Sequence, residues 1–310
     1  MEYRKLGQTD LNVSIVGFGG APLGDVFGSI DPKEAEKAVH LAVDSGINFF
    51  DSSPYYGITL AETRLGAALV GKRDKVILAT KCGRYGMADF DFSAKRVIAS
   101  IDESLQRLQT DYIDLFHIHD VEFGDVHQIM DETLPALRQL QQQGKARYIG
   151  ITGYPPKLLR RIAEAVPVDA ILTYCHYNLM NTDMDGVLTA FARENGIGLI
   201  NASGLHMGML TEQGPSDWHP APQPVRDAAK KAVGYCRAHG ANISEVALRF
   251  CLDHSSVAST LVGMGNTQQV EAGLKLLSMS TDSELMRQLE TIIAPVFDYV
   301  WPSGRAENQG

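Results

Sequence analysis

Short, uninterrupted apolar runs recur along the whole chain, each bounded by turn formers: VSIVGFG (13–19), INFFD (47–51), KVILATK (75–81), YIDLFHIH (112–119), ARYIGIT (146–152), VDAILTY (168–174), GIGLINA (196–202) and STLVG (259–263). They are too short for helices and rich in β-branched and aromatic residues, so they predict strands buried on both faces. Between them lie stretches with helical periodicity. In DPKEAEKAVHLAVDSG, Asp31 can cap the N-terminus, Pro32 suits the first turn and Gly46 suits the stop. Similar amphipathic patterns run over 93–108, 126–143, 156–165, 183–195, 225–239 and 267–278.

Eight buried strands alternating with helices, with no break in composition between halves, predict an α/β fold: one closed (β/α)8 TIM barrel domain over residues 1–310. The competing doubly wound open sheet would carry G-x-G-x-x-G after its first strand. GFGGAPLG supplies Gly17 and Gly19 but Pro22 in the third place, so the dinucleotide fingerprint is absent. MEYRKLGQTDLNVS predicts a short hairpin before the barrel, and 282–294 an extra helix after it.

Composition narrows the classes of function. The chain has 28 Lys and Arg against 37 Asp and Glu, a net charge of -9. No basic field is available for nucleic acid or anionic lipid. No stretch is long and apolar enough for a membrane span, and MEYRKLGQTD lacks a signal peptide's apolar region, so a cytoplasmic location is expected. Cys82, Cys175, Cys236 and Cys251 are scattered, without a C-x-x-C pair, and read as reduced, buried thiols. No metal site is expected.

Barrel active sites gather at the C-terminal strand ends. INFFD ends in Asp51, VILATK in Lys81 and YIDLFHIH in His119, and Tyr56 follows in the first of these loops. Each alone has a bland reading, as a cap, a rim charge or a structural histidine. Together they bring a phenol, a cation, an anion for that cation and an imidazole to three adjacent strand ends, which is a proton-transfer site. A free tyrosine titrates near 10, so lowering it by about 3 units needs roughly 4 kcal/mol. A cation at about 4 Å supplies about that much at an effective dielectric of about 20. Lys81 can do so while Asp51 keeps it charged. His117 faces the same way as His119 but deeper, as a core residue.

These residues and their surroundings resemble the aldo-keto reductase superfamily nearly end to end. FFDSSPYYG is similar to the family's Asp-to-Tyr segment, and its spacing of five selects Tyr56 over Tyr55. SLQRLQTDYIDLFHIHD and GKARYIGIT resemble the segments that follow, so the catalytic tetrad falls on Asp51, Tyr56, Lys81 and His119. YCHYNLMN, LINASGLHMGMLTEQGPSDWHPA, VGMGNTQQVE and VWPSG are similar to the branch of L-galactose and L-fucose dehydrogenases. The resemblance implies hydride transfer from the anomeric carbon of a sugar or similar hemiacetal to a nicotinamide, giving a lactone, with Tyr56 as acid/base. Oxidation of pyridoxal would use the same bond change, and a cofactor-sensing regulatory subunit is the reading from another class.

The resemblance also implies a cofactor along the rim at Gly20, Asp51, Thr152, Tyr174, Ser203, Leu205, Gly208, Gly263, Met264, Gly265 and Gln269. Ala202 stands where many members stack an aromatic on the nicotinamide, and Tyr174 is the candidate replacement. Gln269 stands where NADPH-preferring members carry an arginine, and LVGMGNTQQVE has no cation for a 2′-phosphate, so NAD is expected over NADP. Ala272 and Gly273 replace the usual adenine contacts. Tyr55, His119, Trp218 and Trp301 are candidates for the sugar pocket, since aromatic faces stack on C–H groups. His176, His206 and His219 are further candidate liners.

Overall fold

The computed structural model describes residues 1–309. Strands β1 (Tyr3–Lys5) and β2 (Asn12–Ser14) form the antiparallel hairpin. Eight parallel strands then close the barrel: β3 (Val16–Gly19), β4 (Phe49–Asp51), β5 (Ile77–Cys82), β6 (Ile113–Ile118), β7 (Ala146–Gly153), β8 (Ala170–Tyr174), β9 (Gly198–Ala202) and β10 (Val257–Gly263), with β10 paired to β3. The single run VSIVGFG is divided between hairpin and barrel, because Val13 and Ser14 pair with β1.

Alternation along the strands decides what points inward. Phe49, Ala79, Leu115, Ala170, Leu172, Ile200 and Ala258 fill the barrel interior, where Leu6, Leu11 and Val13 of the hairpin join them. Phe50, Leu78, Phe116 and Ile118 point outward and pack beneath the helices. Two steps beyond Phe49 and Ala79 come Asp51 and Lys81, so these polar residues share the inward face with the core beneath them. Lys81 stands in register with His117 of β6. His117 is fully buried, as expected of a core position.

Asp31 caps the helix Pro32–Asp44 by accepting from the Lys33 amide, and Gly46 follows with φ +87°. The predicted helix over 126–143 is broken. Ile129–Thr133 is a π-helical turn before Leu134–Gln142, at the point where Pro135 has no N–H to give. A second π-turn, Asp185–Thr189, precedes the short helix Ala190–Asn195. Asp282 caps the terminal helix Ser283–Ile293, as its pattern predicts. Helices Leu60–Ala68 and Ile243–Leu252 were not legible from the pattern. All four cysteines are buried and free. Among the described residues no helix is long and apolar enough to cross a membrane.

Candidate active site

Asp51 ends β4, and the chain turns immediately through SSPYYG. Gly57 takes φ +64° there, and a Cβ on it would sit 2.1 Å from the Gly24 carbonyl oxygen. Only glycine lets these two loops approach so closely. That contact fixes the turn carrying Tyr56. Gly20 donates its amide to the Asp51 carbonyl at 2.8 Å, joining the ends of β3 and β4.

The tetrad converges as expected. Lys81 Nζ donates to Asp51 Oδ1 at 2.5 Å, to the Ser52 carbonyl at 2.8 Å and to the Tyr56 hydroxyl at 3.3 Å. Three donors thus meet three acceptors around one buried ammonium. Burial works against that charge, but Asp51 and then Tyr56 offset it and hold the Lys81 pKa above its ordinary value. Burial raises Asp51, with Lys81 acting against the rise. Asp51 Oδ2 is buried and has no hydrogen-bond partner.

The phenol departs from the electrostatic expectation. Burial pushes Tyr56 up to about 12, with Asp51 and Asp120 adding to the rise and Lys81 opposing it. Asp51 offsets part of the Lys81 field and burial outweighs the rest, so the protein by itself keeps Tyr56 protonated at neutral pH.

His119 follows β6 and lies edge-on to Tyr56, ring centroids 5.7 Å apart at 88°. Its Nδ1 is 3.0 Å from Ser53 Oγ. Burial, then Lys81 and Arg84, hold its pKa well below the ordinary imidazole value, so the ring is neutral. Ser53 was in view in FFDSSPYYG but went unread, because an orienting hydroxyl has no sequence signature of its own. Beyond His119 lie Asp120 and Arg84, paired through Asp120 Oδ2 and Arg84 Nη1 at 2.5 Å, which sequence reading also passed over. Arg84 sits 3.8 Å over the Tyr55 ring, whose hydroxyl reaches Met87 Sδ at 3.2 Å.

Among the rim residues, Gly20, Thr152, Tyr174, Ser203, Leu205, Gly208 and Gly263 lie at or just beyond the C-terminal strand ends. Tyr174 is the in-register neighbour of Ala202, so its ring stands beside the position that lacks one. Its hydroxyl donates to Glu122 Oε1 at 3.1 Å. Thr152 Oγ1 accepts from the Asp120 amide at 3.1 Å. After β9 the backbone turns left-handed at Ser203, His206, Met207 and Gly208. The Met264 side chain is fully buried, beneath Gly273, because the helix Thr267–Lys275 covers it, so the side chain itself does not face the rim. Gly265 is likewise buried, against Ile30 and Pro22. Gln269 Oε1 accepts from the Gly265 amide at 2.7 Å and closes its own loop.

The two tryptophans separate. Trp301 is buried, stacked on Tyr154 at 5.0 Å and met edge-on by His206 and His219 at 5.3 and 5.2 Å. It anchors the C-terminal tail to the loops after β7 and β9. Trp218 is 64% exposed, with its ring stacked towards His219 at 6.3 Å between centroids.

A nicotinamide cofactor suits this rim because Asp51 Oδ2 is an orphaned acceptor among the groups that would meet it. A Cβ on Gly20 would sit 2.8 Å from the Asp51 carbonyl oxygen, so only glycine lets the ends of β3 and β4 meet so closely. The comparisons agree with this geometry. Residues 15–294 match the Aldo/keto reductase family. L-galactose dehydrogenase of Arabidopsis thaliana is 48% identical over 99% of both chains. D-arabinose 1-dehydrogenase of Saccharomyces cerevisiae is 31% identical over 98% of both. The holo form of an aldo-keto reductase from Bacillus halodurans superposes over 100% of both chains with a TM-score of 0.81 at 26% identity. With eight barrel strands, an Asp-Lys-Tyr cluster around a buried ammonium and a family match over nearly its whole length, the chain belongs to the aldo/keto reductase family of oxidoreductases, which use nicotinamide cofactors.

Proposed function

We propose that the protein, acting as one domain in the cytoplasm, oxidises the anomeric carbon of an aldose of the L-galactose or L-fucose type to the lactone, with NAD as oxidant. The observation that carries this is the buried Lys81 ammonium bridging Asp51 and Tyr56, in a chain 48% identical to a plant L-galactose dehydrogenase. The dispersed, buried thiols suit a reducing compartment.

Bound NAD supplies the hydride acceptor for the hydrogen on the anomeric carbon. Tyr56 takes the anomeric hydroxyl proton on its phenolate oxygen. Lys81 stabilises that phenolate through the 3.3 Å contact, and Asp51 keeps Lys81 charged. Neutral His119, oriented by Ser53, holds the reacting oxygen by a hydrogen bond. Asp51 Oδ2, Gly20, Thr152, Tyr174 and the loops at Ser203–Gly208 and Gly263–Gln269 would hold the cofactor. No Lys or Arg lies between Gly263 and Gly273 to pair with a 2′-phosphate, which favours NAD.

The names of the relatives carry a chemical pattern. L-galactose and D-arabinose, as pyranoses, share configuration at C2, C3 and C4 and differ in the substituent on C5. Substrate choice thus turns on the hydroxyls around the ring.

The test is NADH formation by purified protein given NAD and L-galactose, L-fucose, D-arabinose, their enantiomers or pyridoxal, with Tyr56→Phe as control. Turnover of the L-sugars that Tyr56→Phe loses is expected. Turnover of pyridoxal alone would replace the sugar assignment. Retained cofactor without turnover of any compound would favour a sensor.

A further inference from the structure

The tetrad accounts for chemistry at one carbon but not for recognition of the rest of the ring. Beside it stands a charged pair with unused hydrogen-bonding capacity. Asp120 follows His119 directly, in left-handed backbone (φ 51°), and is buried. Its Oδ2 receives Arg84 Nη1 at 2.5 Å and lies 3.8 Å from His119 Nε2. Arg84 uses Nε on the Gly86 carbonyl at 3.5 Å. Among the described residues, Arg84 Nη2 and Asp120 Oδ1 have no protein partner, and Oδ1 is not sealed from solvent.

The pair is rigid. Thr152 fixes the Asp120 backbone, and the Arg84 guanidinium is held 3.8 Å over Tyr55 and 5.2 Å over Phe90. A mostly buried ion pair contributes little net stability compared with apolar residues of the same volume, so folding alone gives weak reason for one here. Its free edge offers one fixed donor beside one fixed acceptor. Two cis hydroxyls on a sugar ring present the complement, since each hydroxyl both donates and accepts.

Resting on the dehydrogenase reading above, we propose that Arg84 and Asp120 are the specificity-determining pair, hydrogen-bonded to the cis hydroxyls at C3 and C4 of the galacto-configured ring while C1 lies at Tyr56. A site built to bond a hydroxyl discriminates strongly against an isomer that misplaces it, because the buried donor and acceptor are then left unpaired. L-glucose, the C4 epimer of L-galactose, makes that diol trans.

The experiment measures kcat/KM for L-galactose and for L-glucose with the unaltered protein, Asp120→Asn and Arg84→Met. The ratio of the two constants is read, since any misfolded fraction cancels from it. The expected result is a preference for L-galactose that falls at least about tenfold in both variants, chiefly through a raised KM for L-galactose. Equal loss on both sugars, leaving the ratio unchanged, would mean a purely structural pair and overturns the proposal. A change in one variant alone overturns the pair as the reading unit. No turnover of any aldose by the unaltered protein overturns the dehydrogenase reading itself, and this assignment with it.

Discussion

The Lys81 ammonium lies 2.5 Å from Asp51 Oδ1, with the two side chains 1% and 3% exposed. Removing one partner from such a pair leaves an uncompensated buried charge, which costs about 3–5 kcal/mol. Asp51→Asn and Lys81→Met are each expected to destabilise the fold by that order, and the double variant by less than the sum of the two. Urea denaturation of the four proteins measures the coupling. Additive losses would mean that the two charges do not depend on each other.

The raised Tyr56 sets a direction for the pH dependence. Sugar oxidation requires the phenolate, which is scarce until the pH nears a value pushed up to about 12. The rate of oxidation is therefore expected to climb from neutrality towards pH 10, by up to roughly tenfold per unit while the phenol stays mostly protonated. Reduction of the lactone uses the phenol as acid and should stay flat over the same range. Profiles of kcat/KM in both directions check this. An oxidation plateau below pH 8 would show that another group accepts the proton, or that the bound cofactor lowers the phenol far more than the protein raises it.

The tetrad was legible because strand alternation is a local property. Asp51 is two residues from inward Phe49, and Lys81 two from inward Ala79, so parity alone aims both into the barrel mouth. The helix Leu60–Ala68 was not legible, since apolar residues fall all round LAETRLGAA and no polar face sets off the buried row Ala61, Leu65 and Ala68. It is held through buried Glu62, which accepts from Thr80 on β5 and from Arg107 on a neighbouring helix. Burial at the rim was equally hidden. Met264 and Trp218 read alike as loop side chains beside the site, yet one is sealed under a helix and the other faces solvent. The Tyr56 shift is hidden for a related reason: burial of the phenol sets it chiefly, with Asp51 offsetting part of the Lys81 field, and burial is not written in the local sequence.

Cofactor choice is expected to respond to residue 269. The Gln269 side chain is engaged with the Gly265 amide, and the only nearby cation of that helix, Lys275, is paired with Glu245 at 2.6 Å. Gln269→Arg would place a guanidinium on an exposed helix start, where a 2′-phosphate can pair with it bidentately. A gain of about tenfold or more in kcat/KM for NADP relative to NAD is expected, with part of the NAD activity lost as the Gly265 bond breaks. An unchanged ratio would mean that the phosphate approaches elsewhere.

Glu122 yields a prediction about stability. The carboxyl is fully buried, and its Oε1 accepts from the Tyr154 amide, the Tyr174 hydroxyl and Ser303. Burial, with Asp120 adding, raises its pKa from an ordinary 4.5 to about 8. Between those values the folded chain holds a proton that the unfolded chain has released. Stability from this group is therefore full below about 4.5 and is lost as pH rises towards about 8. Glu122→Gln keeps an oxygen acceptor for the three donors and does not titrate. The unaltered protein should lose Tm relative to Glu122→Gln between pH 5 and pH 9, a difference in which the titrating groups that do not interact with Glu122 cancel. Parallel melting curves across that range would show that Glu122 is ionised in the fold at neutral pH, held so by its three donors against the cost of burial.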